Sequence, residues 1–253
     1  MPSRVEKKPF TSLLFDLDDT LLDVHMPSFL EAYFSLLAPR FGAEDDVPGF
    51  KRELLDAVRL MLQNKRGDRP LDLIFLESFA AARGVTPEEV QAIFDEFHRR
   101  DFDRLRPLTQ PFPEARPLLE KALSLGYELA VATNPVFMAE PIESRIRWAG
   151  LDRFPWSFIS SAGNMHFCKP HPEYFTEVLD HLGRSPEECV MIGNDPAKDL
   201  AAHRVGITTF YLPCPEEHRR PKTADYTGTL KDLSLWLDTL GPCRTTSPQA
   251  QTD

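Results

Sequence analysis

The sequence predicts an α/β fold, a doubly wound and mostly parallel sheet with a helical segment inserted after the first strand. Short, continuously apolar runs alternate with amphipathic helical patterns, which is typical of parallel strands covered by helices on both faces. Polar residues follow several of these runs, and the carboxyl ends of parallel strands are where such sheets bind ligands. Residues 24 to about 105 have helical periodicity and no convincing strand, which indicates the insertion.

Composition limits the classes of function. The chain has 253 residues, 42% hydrophobic and 27% charged, enough for one large or two small domains of ordinary globular type. Its net charge of −10 argues against a nucleic-acid partner and requires local positive charge wherever an anionic substrate binds. No apolar run approaches the ~20 residues of a membrane span. We expect a monomer or homodimer with no membrane partner.

Cysteine usage and the first ten residues indicate the compartment. The four cysteines, including Cys189 and Cys214, form no C-x-x-C pair, so neither zinc nor redox spacing is present. Residues 1–10 contain charges but no apolar stretch of the kind found in secretory signals. We therefore predict a cytoplasmic, reducing setting.

The first strand, residues 12–15, runs directly into an acidic turn. Asp16 and Asp18 lie two positions apart, so their side chains project to the same side if the strand continues. Two adjacent carboxylates at the end of an apolar strand repel each other and are costly to desolvate. A divalent metal ion would satisfy them, and Mg²⁺ prefers hard oxygen ligands. Asp19 and Thr20, in contrast, are expected to satisfy backbone groups of the turn.

The inserted segment is predicted to contain four helices. The fourth has the clearest start, because Thr86 can cap it, Pro87 suits its first position, and two acids follow. Aromatic residues at helical spacing are expected to form the core of this segment and not a ligand cage. The predicted helices cover 28–37, 54–62, 71–82 and 86–102, and the aromatic residues are Phe29, Tyr33, Phe34, Phe75, Phe79, Phe94 and Phe97.

After a Pro-rich stretch at 106–117, strands and helices alternate. Predicted strands cover 128–132, 157–160, 189–192 and 207–212, and predicted helices cover 118–125, 139–148, 173–182, 200–205 and 229–240. Arg145 and Arg147 on the helix before Gly150 are expected to form an exposed basic face. The polar tail, 244–253, is expected to be disordered. Thr133, Asn134, Asn194 and Asp195 follow the apolar runs, and Lys169 lies in a later loop.

Four motifs in this order resemble those of the haloacid dehalogenase superfamily of phosphohydrolases. They are DLDDT at 16–20, Thr133 in VATNP, Lys169 in KPHPEYF, and the acidic loop of IGNDPAKD at 193–199. The resemblance covers the chain from about 11 to 240. It implies an α/β catalytic core formed by 1–23 and 106–243, with residues 24–105 as the family's α-helical cap of the first type.

The resemblance also implies a role for each motif. Asp16 would be the nucleophile and Asp18 the general acid and base. Thr133 and nearby backbone N–H groups would bind phosphoryl oxygens, while Asn134 could bind phosphate or cap the next turn. Lys169 would balance the charge of the nucleophile and the phosphate. Mg²⁺ would contact Asp16, the backbone carbonyl at Asp18, the substrate phosphate and a carboxylate of the fourth motif.

The fourth motif departs from the family's usual Gly-Asp form, because Asn194 follows Gly193. We predict that Asp195 is the direct metal ligand, since a carboxylate binds Mg²⁺ better than an amide does. If Asn194 took that place, the site would lose one negative charge. Asp199 would then be an outer ligand or a support for Lys169.

The predicted function is a Mg²⁺-dependent phosphatase that hydrolyses a small-metabolite phosphomonoester through an aspartyl-phosphate. Alternatives within the family are a phosphomutase, a dehalogenase and a phosphonate hydrolase. Asp18 counts against the dehalogenase, whose relatives lack an acid at that position, and the phosphonate hydrolase needs a reactive lysine in the cap, where only Lys51 and Lys65 occur. A non-catalytic binding protein on a decayed scaffold is the alternative outside enzymes.

Overall fold

The computed structural model describes residues 10–213 and 224–243, so Cys214 and the tail 244–253 lie outside the described residues. Six parallel strands form the main sheet in the order β5-β4-β1-β6-β7-β8. Their bounds are β1 Ser12–Phe15, β4 Glu128–Val131, β5 Trp156–Ile159, β6 Cys189–Gly193, β7 Thr208–Tyr211 and β8 Tyr226–Thr227. Helices flank this sheet, which confirms the predicted α/β fold.

Strand β1 lies at the centre of the sheet, and its neighbours fix where a ligand can bind. It pairs with β4 on one side, Phe15 opposite Val131, and with β6 on the other, Phe15 opposite Ile192. The chain order runs in opposite directions on the two sides of β1, so its carboxyl end lies at the switch point of the topology. All four residues of β1 are buried, as expected of a central parallel strand.

Four α-helices lie within residues 25–108, the segment here called the insert. They are α1 Met26–Leu37, α2 Val47–Gln63, α3 Leu71–Arg83 and α4 Pro87–Arg100. Asp46 caps α2 by accepting from the Gly49 N–H at 2.9 Å, and Thr86 caps α4 in a reciprocal pair with Glu89. The prediction of four helices is confirmed, whereas the division into a core and a cap domain stays a prediction.

The remaining helices follow the predicted order with small differences. They are α5 Ala115–Ser124, α6 Ala139–Trp148, α7 Pro172–Leu182 and α8 Leu230–Leu240. The helix predicted over 200–205 is a 3-10 segment, Asp199–Val205. Asp199 is the first residue of this segment, and its carboxylate lies directly against Gly193 at the end of β6.

The sequence prediction missed a second, small sheet at the two junctions of the insert. Strand β2, Leu22–Val24, pairs antiparallel with β3, Thr109–Pro111, within the stretch predicted as a Pro-rich hinge. Strands of three residues carry too little periodicity to be recognised, and Pro111 argues against a strand except at an edge. The pairing joins the point where the chain enters the insert to the point where it returns.

Candidate active site

The acidic turn after β1 is shaped by its own backbone. The N–H groups of Leu21 and Leu22 donate to the carbonyl of Leu17, and the N–H of Asp19 donates to Leu22. Asp19 has φ +57°, a left-handed conformation that Asp tolerates better than most residues, and its Oδ1 accepts from the Val24 N–H at 3.0 Å. Asp19 thus has the structural role predicted for it, whereas the Thr20 hydroxyl donates to the side chain of Asn194 at 3.3 Å.

A buried ammonium group joins the first and fourth motifs. Lys169 is 2% exposed, and its Nζ lies 2.8 Å from Asp16 Oδ1 and 2.7 Å from Asp199 Oδ1. Its ammonium group also lies over the ring of Tyr174, with Nζ 5.8 Å from the centre of the ring. Residues that are 153 and 30 positions away from Lys169 therefore meet at one charged group.

Two carboxylates share this single ammonium, and the pKa values show the consequence. Burial raises the pKa of Asp16 to about 7, while the attraction of Lys169 opposes the rise. Burial would lower the pKa of Lys169, but Asp16 and Asp199 together raise it above its ordinary value. Lys169 is thus held as an ammonium ion, whereas burial, with a smaller contribution from Asp199, keeps the pKa of Asp16 above its ordinary value.

Thr133 and Asn134 follow β4 and help to hold the lysine loop. The carbonyl of Thr133 accepts hydrogen bonds from Ser160 Oγ at 2.8 Å and from Tyr174 Oη at 2.7 Å. Asn134 Oδ1 accepts from the backbone N–H of Lys169 at 3.1 Å. Both residues line the same cavity as Asp16. The side chain of Asn134 therefore fixes the backbone from which the ammonium group extends.

The loop after β6 brings three more polar residues to this edge of the sheet. Asp199 Oδ2 accepts from the Asp195 N–H at 2.9 Å, and a Cβ on Gly193 would lie 2.2 Å from that same oxygen. Only glycine fits at 193 because the Asp199 carboxylate lies directly against it. Asp195 accepts from the backbone N–H groups of 197 and 198 and pairs with Lys198 Nζ at 2.8 Å.

The largest correction concerns Arg145, which was expected to be exposed. It is buried, with 1% of its surface accessible, and its guanidinium pairs with Asp18 Oδ2. Its Nε donates to the carbonyl of Pro141 at 3.2 Å, and the ring of Phe137 lies 4.6 Å from its charge. Arg147, two residues later, is exposed as predicted.

A signal for this burial was present in the sequence. Arg145 lies three residues after Ile142 and four before Ala149, on the face of α6 that packs inward. The prediction of a basic surface considered only that two arginines lie close together in the sequence. It did not consider which face of the helix each arginine occupies.

The second carboxylate oxygen of Asp18, Oδ1, is buried and has no hydrogen-bond partner among the described residues.

A cavity of about 350 Å³ lies between the strand ends and the insert. One side, here called the core wall, contains Asp16, Asp18, Thr133, Asn134, Lys169 and residues of the loop 194–199. The other side, the insert wall, comes from helices α1 to α4. The prediction that the insert aromatics form only a core is wrong in part, because all seven are buried but four of them also line the cavity: Tyr33, Phe34, Phe75 and Phe94.

Comparison with known families decides the assignment. A model of the haloacid dehalogenase-like hydrolases matches residues 10–206, well over half of the chain. The chain belongs to this family. As a member of the haloacid dehalogenase-like hydrolases it is a hydrolase, and the predicted family membership is confirmed over residues 10–206.

Relatives and solved structures of the family agree with this assignment. The pyrophosphatase PpaX of Halalkalibacterium halodurans is 23% identical over 236 residues, which is 91% of this chain and 96% of that protein. The fold resembles a phosphatase of the family from Thermococcus onnurineus, with a TM-score of 0.59, 20% identity, and coverage of 93% and 100%. It also resembles the defluorinating L-2-haloacid dehalogenase Rha0230, with a TM-score of 0.56, 19% identity, and coverage of 94% and 100%.

The shared fold does not by itself choose between phosphatases and dehalogenases, since both occur among these structures. The choice therefore depends on the side chains of the site.

Within the described ranges, no helix is both long and apolar enough to cross a membrane.

The residues of this site fit the hard cation that the family implies. The Asp16, Asp199 and Lys169 cluster has one more negative than positive charge. Burial is the main reason that the pKa of Asp16 is raised, and the neighbouring Asp199 carboxylate adds to the rise. Among the described residues, no three His, Cys, Asp or Glu side chains form a metal cage of their own. Mg²⁺ suits such a site, because it binds through one or two carboxylates and completes its coordination with water and substrate phosphate.

Proposed function

We propose that the protein is a magnesium-dependent phosphatase that hydrolyses a small phosphomonoester through an aspartyl-phosphate on Asp16. One observation carries this proposal: a buried ammonium group joins Asp16 to Asp199 beside a cavity into which Asp18 also faces. A carboxylate nucleophile beside a fixed positive charge suits attack on a phosphoryl group, whose oxygens need neutralising in the transition state.

In the first step, a carboxylate oxygen of Asp16 attacks phosphorus and the bond to the ester oxygen breaks. The leaving oxygen takes a proton from Asp18, so an alcohol departs and a phosphoryl group stays on Asp16. Lys169 stabilises the charge on Asp16 and on the transferring group. In this proposal, the hydroxyl of Thr133 and the backbone N–H groups after it donate hydrogen bonds to the phosphoryl oxygens.

In the second step, water attacks the aspartyl-phosphate and Asp18 takes up the proton that the water releases. Inorganic phosphate leaves, and Asp16 and Asp18 return to their starting states. The free atom of Asp18 supports this role: Oδ2 is bound to Arg145, whereas Oδ1 has no partner among the described residues. We assign the transferred proton to Oδ1.

Magnesium, when bound, would neutralise phosphate charge and hold the phosphoryl group against Asp16. Asp16, the backbone carbonyl of Asp18 and Asp195 or Asn194 would hold it, with Asp199 supporting Lys169. The ion pair of Asp195 with Lys198 leaves open which side chain of the loop is the direct ligand, and Asp195 stays our prediction.

The alternatives are less well supported. Dehalogenation uses no acid two residues after the nucleophile, and Asp18 is present and aimed into the cavity. A phosphonate hydrolase needs a lysine from the insert, and neither Lys51 nor Lys65 lines the cavity. A phosphomutase would use the same Asp16 and Asp18, and it is distinguished by whether free phosphate appears.

A phosphate-release screen tests the proposal. The full chain is incubated with a panel of phosphomonoesters, with Mg²⁺ or with a chelator, beside the Asp16→Asn variant as control. We expect inorganic phosphate from at least one ester, only with Mg²⁺ and not with the variant. Isomerised substrate without phosphate would indicate a mutase, and no turnover across a broad panel would contradict the proposal.

A further inference from the structure

The insert wall of the cavity differs from what a polar metabolite needs. Its residues are almost entirely aliphatic or aromatic, among them Leu30, Phe34, Leu54, Val58, Phe75 and Phe94. Of the described lining residues that the insert contributes, none is Lys, Arg, Asp or Glu. The space opposite Asp16 therefore offers a leaving group a dry, apolar surface.

Two polar side chains interrupt this wall, and they bind each other. Tyr33 Oη and His98 Nε2 lie 3.4 Å apart, and both residues are buried. Burial lowers the pKa of His98 to about 3, so this ring is neutral at physiological pH. Neither group therefore supplies positive charge to a substrate.

The cations that line the cavity are on the core wall and already have carboxylate partners. Lys169 lies between Asp16 and Asp199, and Lys198 pairs with Asp195. A leaving group with a carboxylate or a second phosphate would therefore lose its hydration in the cavity without gaining a cation as partner. Desolvating an unpaired charge in this way is strongly unfavourable.

Resting on the proposed phosphatase function, we propose that the substrates are phosphomonoesters of apolar alcohols, alkyl or aryl phosphates without further charge. The core wall would bind the phosphate and the insert wall would bind the hydrocarbon. A cavity of about 350 Å³ lies within the range of small-molecule sites, and such sites are mostly apolar with a few fixed polar groups. Sugar phosphates, phosphoamino acids and pyrophosphate do not suit the insert wall.

A matched pair of substrates tests this inference. Hexyl phosphate and 5-carboxypentyl phosphate have leaving oxygens of similar basicity, and they differ only in the charge at the far end. We expect kcat/KM for hexyl phosphate to exceed that for the carboxylate by about 100-fold. From butyl to hexyl phosphate, kcat/KM should rise by about fourfold per methylene. Equal kcat/KM for the matched pair would overturn the inference while leaving the phosphatase proposal intact.

A pair of variants on helix α2 tests the same point from the protein side. Val58 is half-buried and lines the cavity, whereas Leu60 on the same helix is 48% exposed and does not. Val58→Lys should reduce the preference for hexyl phosphate by about tenfold, because it supplies the missing cation. Leu60→Lys should leave the preference unchanged. An unchanged preference in Val58→Lys, with the protein folded, would contradict the role of this wall.

A binding measurement separates failure of this inference from failure of the proposed function. Hexylphosphonate, which cannot be hydrolysed, is titrated calorimetrically into the full chain with Mg²⁺, beside 5-carboxypentylphosphonate. Tighter binding of hexylphosphonate, with a negative change in heat capacity, is expected. That result with no hydrolysis of any ester would refute the phosphatase but keep the ligand class. Equal binding of both phosphonates would refute the ligand class.

Discussion

The two walls of the cavity come from different parts of the chain and offer a substrate opposite surfaces. The core wall is formed by loops that follow parallel strands, and it concentrates carboxylates, an amide and two ammonium groups. The insert wall is formed by helix faces and contains mainly aliphatic and aromatic side chains. Charge on one wall and apolar surface on the other indicate that reaction and substrate choice are controlled separately.

The physical reason lies in how each element presents its side chains. Parallel strands end at a common edge, so residues far apart in sequence, such as Asp16 and Lys169, meet there. Amphipathic helices present a broad apolar stripe, and the part of the stripe that the insert core leaves uncovered faces the cavity. A charged substitution is therefore expected to act on turnover in the core wall and on selectivity in the insert wall.

The largest expected effect is on the core wall. Replacing Asp16 with Asn removes the proposed nucleophile but keeps the size of the side chain. We expect kcat to fall by about 10⁴-fold or more with every substrate, while circular dichroism and the melting temperature stay close to wild type. Turnover near the wild-type rate would remove Asp16 from this role and break the separation between the two walls.

Arg145 contacts Asp18 and is not among the described residues that line the cavity, so we regard it as a positioning residue. Arg145→Met should lower kcat/KM for an alkyl phosphate by about 10- to 100-fold, because Asp18 would no longer be held for proton transfer. Arg145→Lys should recover part of the loss, and the exposed Arg147→Met is the matched control.

The choice of leaving group shows whether this loss is one of proton transfer. p-Nitrophenyl phosphate releases a weakly basic oxygen that needs little protonation, so Arg145→Met should cost it less in kcat/KM than it costs an alkyl phosphate. An equal loss with both substrates would indicate that Arg145 contributes to stability only.

The loop after β6 should control the requirement for metal. We expect Asp195→Ala to raise the Mg²⁺ concentration for half-maximal activity by about tenfold or more, and Asn194→Ala to raise it less. Asn194→Asp should lower it, because it adds a negative charge. Activity as a function of Mg²⁺ concentration provides the measurement, and the reverse order of the two alanine variants would assign the direct ligand to Asn194.

The smallest expected effect is on stability, and it tests how dry the insert wall is. Since the folded-state pKa of His98 is about 3 and its ordinary value is 6.5, the unfolded chain binds a proton that the folded chain does not. His98 therefore contributes full stability above about pH 6.5, and the free energy of unfolding falls by about 1.4 kcal/mol per pH unit below it.

His98→Phe should remove the contribution of His98 to the pH dependence of the free energy of unfolding, because Phe cannot be protonated. Phe also fits among the surrounding rings of Phe94, Phe97 and Phe102. Denaturant unfolding between pH 7 and pH 4 compares the two proteins, with the exposed His181→Gln as control. Identical slopes for wild type and His98→Phe would show that His98 is accessible to water and that the insert wall is less dry than inferred.

Sequence reasoning was most successful where a short pattern fixes local chemistry. The apolar run before Asp16 predicted a buried strand, and Thr86-Pro87 predicted the start of a helix. It failed where a role depends on a distant partner. Arg145 looked like a surface charge because its partner, Asp18, lies 127 residues earlier. The β2–β3 pairing was missed for the same reason, since each strand of three residues is recognisable only by its partner.

The sequence by itself determined the alternation of strands and helices, the family, and the order in which polar residues follow the strands. These follow from local apolar patterns and motif spacing, which do not depend on contacts between distant segments. Only the tertiary structure decided that Lys169 joins Asp16 to Asp199, that Arg145 is buried on Asp18, and that apolar faces of the insert close the cavity. Burial and distance set the energy of a charge, and both arise only when remote parts of the chain pack together.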